Sequence, residues 1–241
     1  MVGTQISRVK TFIENLDENV QGGVPKGHLV LLAGAPGTMK SSIAYSILYQ
    51  NAIRSGTKSL YMTLEQSREG LNQQMESMGM SPDKVRDTVN VLDLGIIRRS
   101  LTQLSAKGSW MQVFKMYAEN LKASLGYEIL ILDSLDVLEM AAQMKPEERR
   151  AELFYMFEWL RGMGVTCFLI SECNPDQYNC THRDEAYLAD GVILLKMAEI
   201  GDTDVQRRIR VVKMRSTNHA SNYFSLLFDH ASFRATRVLS E

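Results

Sequence analysis

Residues 29–48 read LVLLAGAPGTMKSSIAYSIL, and no other stretch limits the possible folds of this chain so tightly. Residues 29–33 form an aliphatic run with the length of a strand buried on both faces of a parallel sheet. A loop of small residues follows, Gly34-Ala35-Pro36-Gly37-Thr38-Met39, then Lys40-Ser41, and from Ser42 apolar side chains recur at helical spacing. Strand, small-residue loop, Lys-Ser and helix together are the context of a phosphate-binding loop. Backbone N–H groups of such a loop converge on a phosphate, and the helix adds the positive end of its dipole. A solvated lysine is unfavourably placed at a helix start, so Lys40 points to an anion beside it. In this reading residues 34–42 cradle the phosphates, Lys40 reaches the β- and γ-phosphates, and the Ser41 hydroxyl sits on Mg²⁺. The pattern G-x-x-x-x-G-K-[ST] has glycine where this chain has Met39.

The rest of the chain supplies a sheet for that loop. Aliphatic runs at 58–64, 90–94, 128–133 and 165–171 alternate with helical periodicity at 67–78, 98–125 and 146–162. Strands at 191–196, 209–214 and 224–228 close the sequence, separated by polar turns. This order predicts an α/β fold with a mostly parallel central sheet flanked by helices and additional C-terminal antiparallel strands. An amphipathic stretch with Val9, Phe12, Ile13 and Leu16 leads into Gly22-Gly23 and Pro25-Lys26-Gly27 ahead of the first core strand. Repeats, low-complexity tracts and linkers are absent from the sequence, so residues 1–241 are expected to form one domain. Methionines such as Met75, Met78 and Met156 fall at helical core spacing and are expected to fill gaps in packing.

Asp133 ends the run 128–133, where a carboxylate meets Mg²⁺ through water or through the loop serine. Many nucleotide hydrolases carry their water-activating glutamate directly after that aspartate, but here the residue is Ser134. The base must come from another strand end. The reactive edge of a parallel sheet is the carboxyl end of its strands, and Glu65, closing the run 58–64, is the candidate. The alternative for Glu65 is a carboxylate that complements the dipole of the helix after Ser67. Lys213 and Arg215 alternate along a predicted strand with Met214 between them, so both cations share one face. They require solvent or a shared anion.

Three stretches resemble the KaiC-like branch of the RecA-superfamily P-loop ATPases. GGVPKGHLVLLAGAPGTMKSS resembles that family's lead into the P-loop, and YMTLEQS resembles its strand ending in a Glu-Glu pair. LADGVILL followed by IRVVKMRSTNH resembles its C-terminal strands and K-x-R-G-x-x-H segment. The resemblance implies a RecA-like fold that binds ATP and Mg²⁺ and assembles as a homo-oligomeric ring, usually a hexamer, with nucleotide between neighbours. It implies that Glu65 activates water, that Lys213 and Arg215 reach the γ-phosphate of the adjacent subunit, and that His219 lies near that nucleotide. The sequence departs from the family at Met39, at Gln66 in place of the second glutamate, and at Ser216 after Arg215. Ala186-Tyr187 stands where clock members carry an autophosphorylated Ser-Thr pair. The implied activity is slow Mg²⁺-dependent ATP hydrolysis. Two alternatives remain: an ATP-ordered scaffold or sensor that does not hydrolyse, with a protein partner the sequence does not name, and a recombinase paralogue that binds DNA.

A formal net charge of −1 provides no bulk attraction to nucleic acid or acidic membranes. Arg183 is the one arginine of 173–187 and sits beside Asp184 and Glu185, which disfavours a DNA phosphate track. The first residues, MVGTQISRVK, lack a signal-peptide core, and no apolar run is long enough for a membrane span. Three cysteines, an odd number, argue against a disulfide framework, and a cytoplasmic protein is expected. Cys173, Cys180 and His182 lie close together but lack the paired spacing of a metal site.

Overall fold

The computed structural model describes residues 6–96, 110–173 and 183–238. Nine strands form one sheet: β3 (Leu29–Gly34), β4 (Ser59–Thr63), β5 (Val89–Asp93), β6 (Ile129–Asp133), β7 (Thr166–Glu172), β8 (Gly191–Ile200), β9 (Asp204–Met214), β10 (Phe224–Asp229) and β11 (Ser232–Arg237). Their order is β11-β10-β9-β8-β3-β7-β6-β4-β5. The six strands from β8 to β5 run parallel, and β9, β10 and β11 extend them antiparallel. This is the α/β architecture predicted from the alternation of patterns. A separate pair, β1 (Arg8–Val9) and β2 (Val24–Pro25), flanks the short helix α1 (Leu16–Asn19). The N-terminal stretch thus buries Val9, Ile13 and Leu16, although little of it is helical.

The central strands are aliphatic because both of their faces are covered. Val30, Leu32, Ile131 and Phe168 point to one side, where α2 (Lys40–Ser55) packs Ile43, Tyr45 and Ile47 against them. Leu29, Leu31, Leu132 and Leu169 point to the other side. There they meet α4 (Trp110–Leu125), α5 (Leu135–Ala142) and α6 (Arg149–Gly162) through Phe114, Leu138, Leu153 and Phe157. The remaining helices are α3 (Arg68–Ser77), capped by the Ser67 hydroxyl, and α7 (Asp184–Leu188). Met75 and Met156 are buried and Met78 packs against the core, as their spacing predicts.

Four elements differ from the sequence reading. The helix expected to open at Pro146 begins at Arg149, and α5 precedes it, capped by Ser134. α7 lies at the end of a stretch read as irregular. β11 pairs with β10 through the two-residue turn His230-Ala231, both at positive φ, 48° and 58°. That turn geometry usually announces itself with Asn or Gly, and here neither is present. Part of the helix predicted over 98–125 falls outside the described residues. Cys173, one residue past β7, is disulfide-bonded, although the odd cysteine count argues against a disulfide framework, whereas Cys167 is buried and free. Among the described residues no helix is long and apolar enough to cross a membrane.

An ionic cluster fixes α5, α6 and α7 to one another. Arg149 donates to Glu139 at 2.6 Å and to Glu185 at 2.7 Å, and Glu185 is only 1% exposed. Burial pushes the Glu139 carboxyl up, and the Arg149 hydrogen bonds pull against that rise. Removing the arginine strands Glu139 in a low-dielectric layer and leaves the buried Glu185 with Arg183 alone. Arg149→Leu is therefore expected to lower unfolding free energy by about 3–5 kcal/mol, read by urea denaturation. A change below about 1 kcal/mol would show that the cluster is solvated and carries little.

Candidate functional site

The loop after β3 is shaped by two kinds of constraint. Gly34 is level with Glu172 of β7 and Leu195 of β8, and a Cβ there would lie 2.5 Å from the Leu195 carbonyl oxygen. Gly37 instead needs its backbone freedom, at φ +81° with open space around it. Met39 shares that need: at φ 70°, ψ 28° it occupies the left-handed region in the cap position of α2. An L-residue in this conformation costs about 1–2 kcal/mol relative to the right-handed form, which explains why the pattern favours glycine. The Met39 side chain packs partly against the core, and Thr38 closes the loop by donating to Ala35 O at 2.7 Å.

Lys40 is buried, and its ammonium folds back to donate to Gly34 O at 2.9 Å and Ala35 O at 3.1 Å. Burial lowers its pKa below the usual 10.5, opposed by the charges of Glu172, Asp133, Glu65 and Asp136. These carboxylates come from the carboxyl ends of β4, β6 and β7 and from the start of α5. Asp133 is 3% exposed and accepts a hydrogen bond from the Tyr61 hydroxyl at 2.5 Å. Burial raises its pKa, while hydrogen bonds with Tyr61 and Ser41 hold the rise back. The same burial and the neighbouring Asp133 push the Tyr61 hydroxyl well above 10.0, so it stays a donor. Ser134 donates its hydroxyl to Glu65, turning that carboxylate toward the same space.

These groups surround a cavity of about 440 Å³, whose walls include Gly37, Met39, Lys40, Ser41, Glu65 and Asp133. Pro36 and Ser42 also face it, whereas Gly34, Ala35 and Thr38 shape the loop from behind. Glu172 and Arg207 complete the wall, and neither stood out in the sequence. Arg207 lies on β9, whose Ile209 is level with Leu195 and hence with Gly34, so its guanidinium reaches Gly37 O at 3.4 Å. Only the antiparallel register of β8 and β9 brings this arginine to the loop. Ser41 and Asp133 offer hard oxygen ligands of the kind Mg²⁺ takes. Among the described residues no group of three His, Cys, Asp or Glu side chains could hold a metal ion.

The other predicted cations lie elsewhere. β9 ends at Met214, level with Gly191 and Val30, at the edge of the sheet opposite the loop. Arg215 is six residues past Ile209, about 20 Å from the loop edge at strand rise. Lys213 donates to Ala186 O, Tyr187 O and Ala189 O, the last at 2.6 Å, and Arg215 donates to Asp190 at 2.8 Å and to Tyr187 O. The two cations share a face as the alternation predicts, and a helix end with Asp190 neutralises them. His219, half-buried, contacts Ala220 O and is not part of the cavity wall.

The KaiC ATPase family model matches residues 9–230. The chain belongs to the KaiC ATPase family. Within the RecA superfamily this KaiC-like chain is 26% identical to a UPF0273 protein of Thermotoga maritima, over 89% of the chain and 90% of that protein. It is 28% identical to the circadian clock protein KaiC2 of a Synechocystis strain, over 95% of the chain but 40% of that longer protein. A crystal structure of a KaiC-like protein from Pyrococcus horikoshii superposes with a TM-score of 0.81 over 97% of this chain and all of that one. At 24% identity that likeness is one of fold.

Two outcomes test the geometry of this KaiC-like site. Met39→Gly is expected to bind nucleotide at least as well as the parent, because glycine enters the left-handed region freely. Met39→Val should bind about tenfold more weakly, because a β-branched residue is an outlier there. Equal affinity of the two variants in a fluorescent-nucleotide titration would overturn the loop assignment. Separately, a carboxyl whose folded pKa exceeds its unfolded value contributes stability at low pH that is lost as pH rises through the folded pKa. Without nucleotide or Mg²⁺, the melting temperature should therefore fall as pH climbs from 3.8 through the raised pKa of Asp133. Asp133→Asn should flatten that fall and abolish the Mg²⁺ dependence of nucleotide binding.

Proposed function

We propose that the chain is a single-domain, Mg²⁺-dependent ATPase of low turnover that works in the cytoplasm as a ring, six subunits being the expected size, with ATP between neighbours. The observation that carries this reading is the meeting of Lys40, Ser41, Asp133 and the Ser134-held Glu65 at one cavity. Lys40 leaves the loop carbonyls for the phosphates, exchanging two neutral acceptors for anionic ones. Ser41 and Asp133 would hold Mg²⁺, which when bound neutralises phosphate charge and orients the β- and γ-oxygens. Glu65, kept in place by Ser134, orients the attacking water and takes up its proton. Arg207 adds a second cation from the same subunit.

The position of the remaining cations supports the ring. Lys213 and Arg215 are too far from their own loop to touch its nucleotide. A head-to-tail neighbour brings them to one, and an arginine supplied in trans stabilises phosphoryl-transfer charge. His219 would approach the same nucleotide. A DNA-binding role has little support, because Arg183 already donates to Glu172 O and Asp136 and pairs with Glu185.

Lys40→Ala is expected to weaken ATP binding by ten- to over a hundredfold, the loss of a charge-assisted contact worth about 1.5–3 kcal/mol. Glu65→Gln should bind ATP and hydrolyse it about 10²–10⁴ times more slowly. Turnover should rise with protein concentration, and mixing Glu65→Gln with Arg215→Ala protein should restore part of it. A monomer with full, concentration-independent turnover would refute the ring. A Glu65→Gln variant as fast as the parent would leave the water to another base.

A further inference from the structure

Arg183 bridges the end of β7, the start of α5 and α7. Its guanidinium donates to Glu172 O at 2.5 Å and to Asp136 Oδ1 at 3.0 Å, and pairs with Glu185 at 2.8 Å. Glu172 closes β7 in register with Gly34, faces the cavity and is the first among the charges acting on Lys40. Its backbone is held from both sides, since its N–H donates to Asp136 Oδ2 at 2.7 Å while Arg183 holds its carbonyl. On its other side Arg183 is the residue that opens α7, and Glu185 within α7 is buried between Arg183 and Arg149. The far end of α7 is where Lys213 and Arg215 are seated, on the carbonyls of Ala186, Tyr187 and Ala189.

Charge-assisted hydrogen bonds thus run from the cavity wall through Arg183 to Glu185 of α7, and the backbone of α7 carries the link on to the carbonyls that seat Lys213 and Arg215. We propose that Arg183 is a positioning residue that couples occupancy of a subunit's nucleotide site to the placement of the Lys213–Arg215 pair offered to the next subunit. The proposal rests on the reading that Lys213 and Arg215 act in trans. The physical cause is local. Phosphate entering the site draws Lys40 away from its loop carbonyls and sets new charge opposite Glu172. Because the Glu172 backbone is clamped by Asp136 and Arg183, that change is transmitted to α7 rather than absorbed by a free loop end. Shared contiguity alone does not establish coupling, so the test is a double-mutant cycle.

The cycle uses mixed rings in which the Arg215→Ala subunit hydrolyses ATP and the Glu65→Gln subunit only donates its Lys213–Arg215 pair. Adding Lys40→Ala to the donor leaves its site largely empty at an ATP concentration that just saturates the hydrolysing subunit, and at that concentration is expected to lower the mixture's turnover about fivefold, with KM at the hydrolysing subunit unchanged. Adding Arg183→Ala to the donor should give the same loss, and combining both should add nothing further. Arg183→Lys keeps a charge beside Glu185 but cannot fork to Glu172 and Asp136, so it should show the same loss if the alanine variant fails to fold. Donors with and without Arg183 that support equal turnover would overturn the proposal. So would losses from Lys40→Ala and Arg183→Ala that multiply independently. Failure of the simple Glu65→Gln and Arg215→Ala mixture to regain any turnover would overturn the trans reading itself, and this proposal with it.

Discussion

Lys40 is a cation held largely out of water at the amino end of a sixteen-residue helix, where burial and the helix dipole both oppose its charge. The site is the means by which the fold tolerates it. Glu65, Asp133 and Glu172 arrive at the same edge of the sheet because β4, β6 and β7 run parallel to β3, with Asp133 two residues short of the level of Glu172. The loop carbonyls of Gly34 and Ala35 accept the ammonium in the meantime. Carboxylates outnumber the cations at this edge, so a polyanion enters favourably only with a divalent cation beside it. In the proposed reading, substrate and metal enter together for an electrostatic reason that the protein side chains already set.

Strand β9 extends this logic to a second surface. It carries Arg207 at the loop edge and leads into Lys213 and Arg215 at the opposite edge, eight residues or about 27 Å from Arg207 to Arg215. One strand therefore equips a subunit's own cavity at one end and a second surface at the other. The seat of the distal pair is built by α7 and Asp190, which Arg149, Arg161 and Arg183 tie to the helical layer. Asp190 itself lies below the ordinary carboxylate range: burial raises it, but the Leu29 N–H, Arg215 and Arg161 together outweigh that.

Positive-φ backbone without glycine marks the places where the chain departs from common patterns. Met39 takes a left-handed conformation in the loop, and His230-Ala231 take it in the β10–β11 turn. At both places the conformation is imposed by what surrounds it. The Met39 position is fixed by a strand end and a helix start that must meet there, and the turn is fixed by six paired residues on each side. Sequence patterns that rely on glycine as a marker meet the loop with a mismatch and do not register the turn. For the same reason β11 escaped notice although Phe233 and Ala235 alternate inward.

The sequence alone determined the parallel core, the loop with Lys40 and Ser41, and the two strand-end carboxylates Glu65 and Asp133. These are local signals: aliphatic runs buried on two faces, and a reactive residue at the end of such a run. Tertiary structure decided what depends on register between distant segments. Arg207 reaches the loop only because β9 pairs antiparallel with β8, and Glu172 faces Lys40 only because β7 lies beside β3. Ser134, in sequence merely a missing glutamate, becomes the donor that orients Glu65. Arg183 gains its place between cavity and α7 from contacts to Glu172 and Asp136, residues 11 and 47 positions away. Side-chain pairing at such separations has no periodicity to read, because it is fixed by the order of strands in the sheet and not by the spacing of residues along the chain.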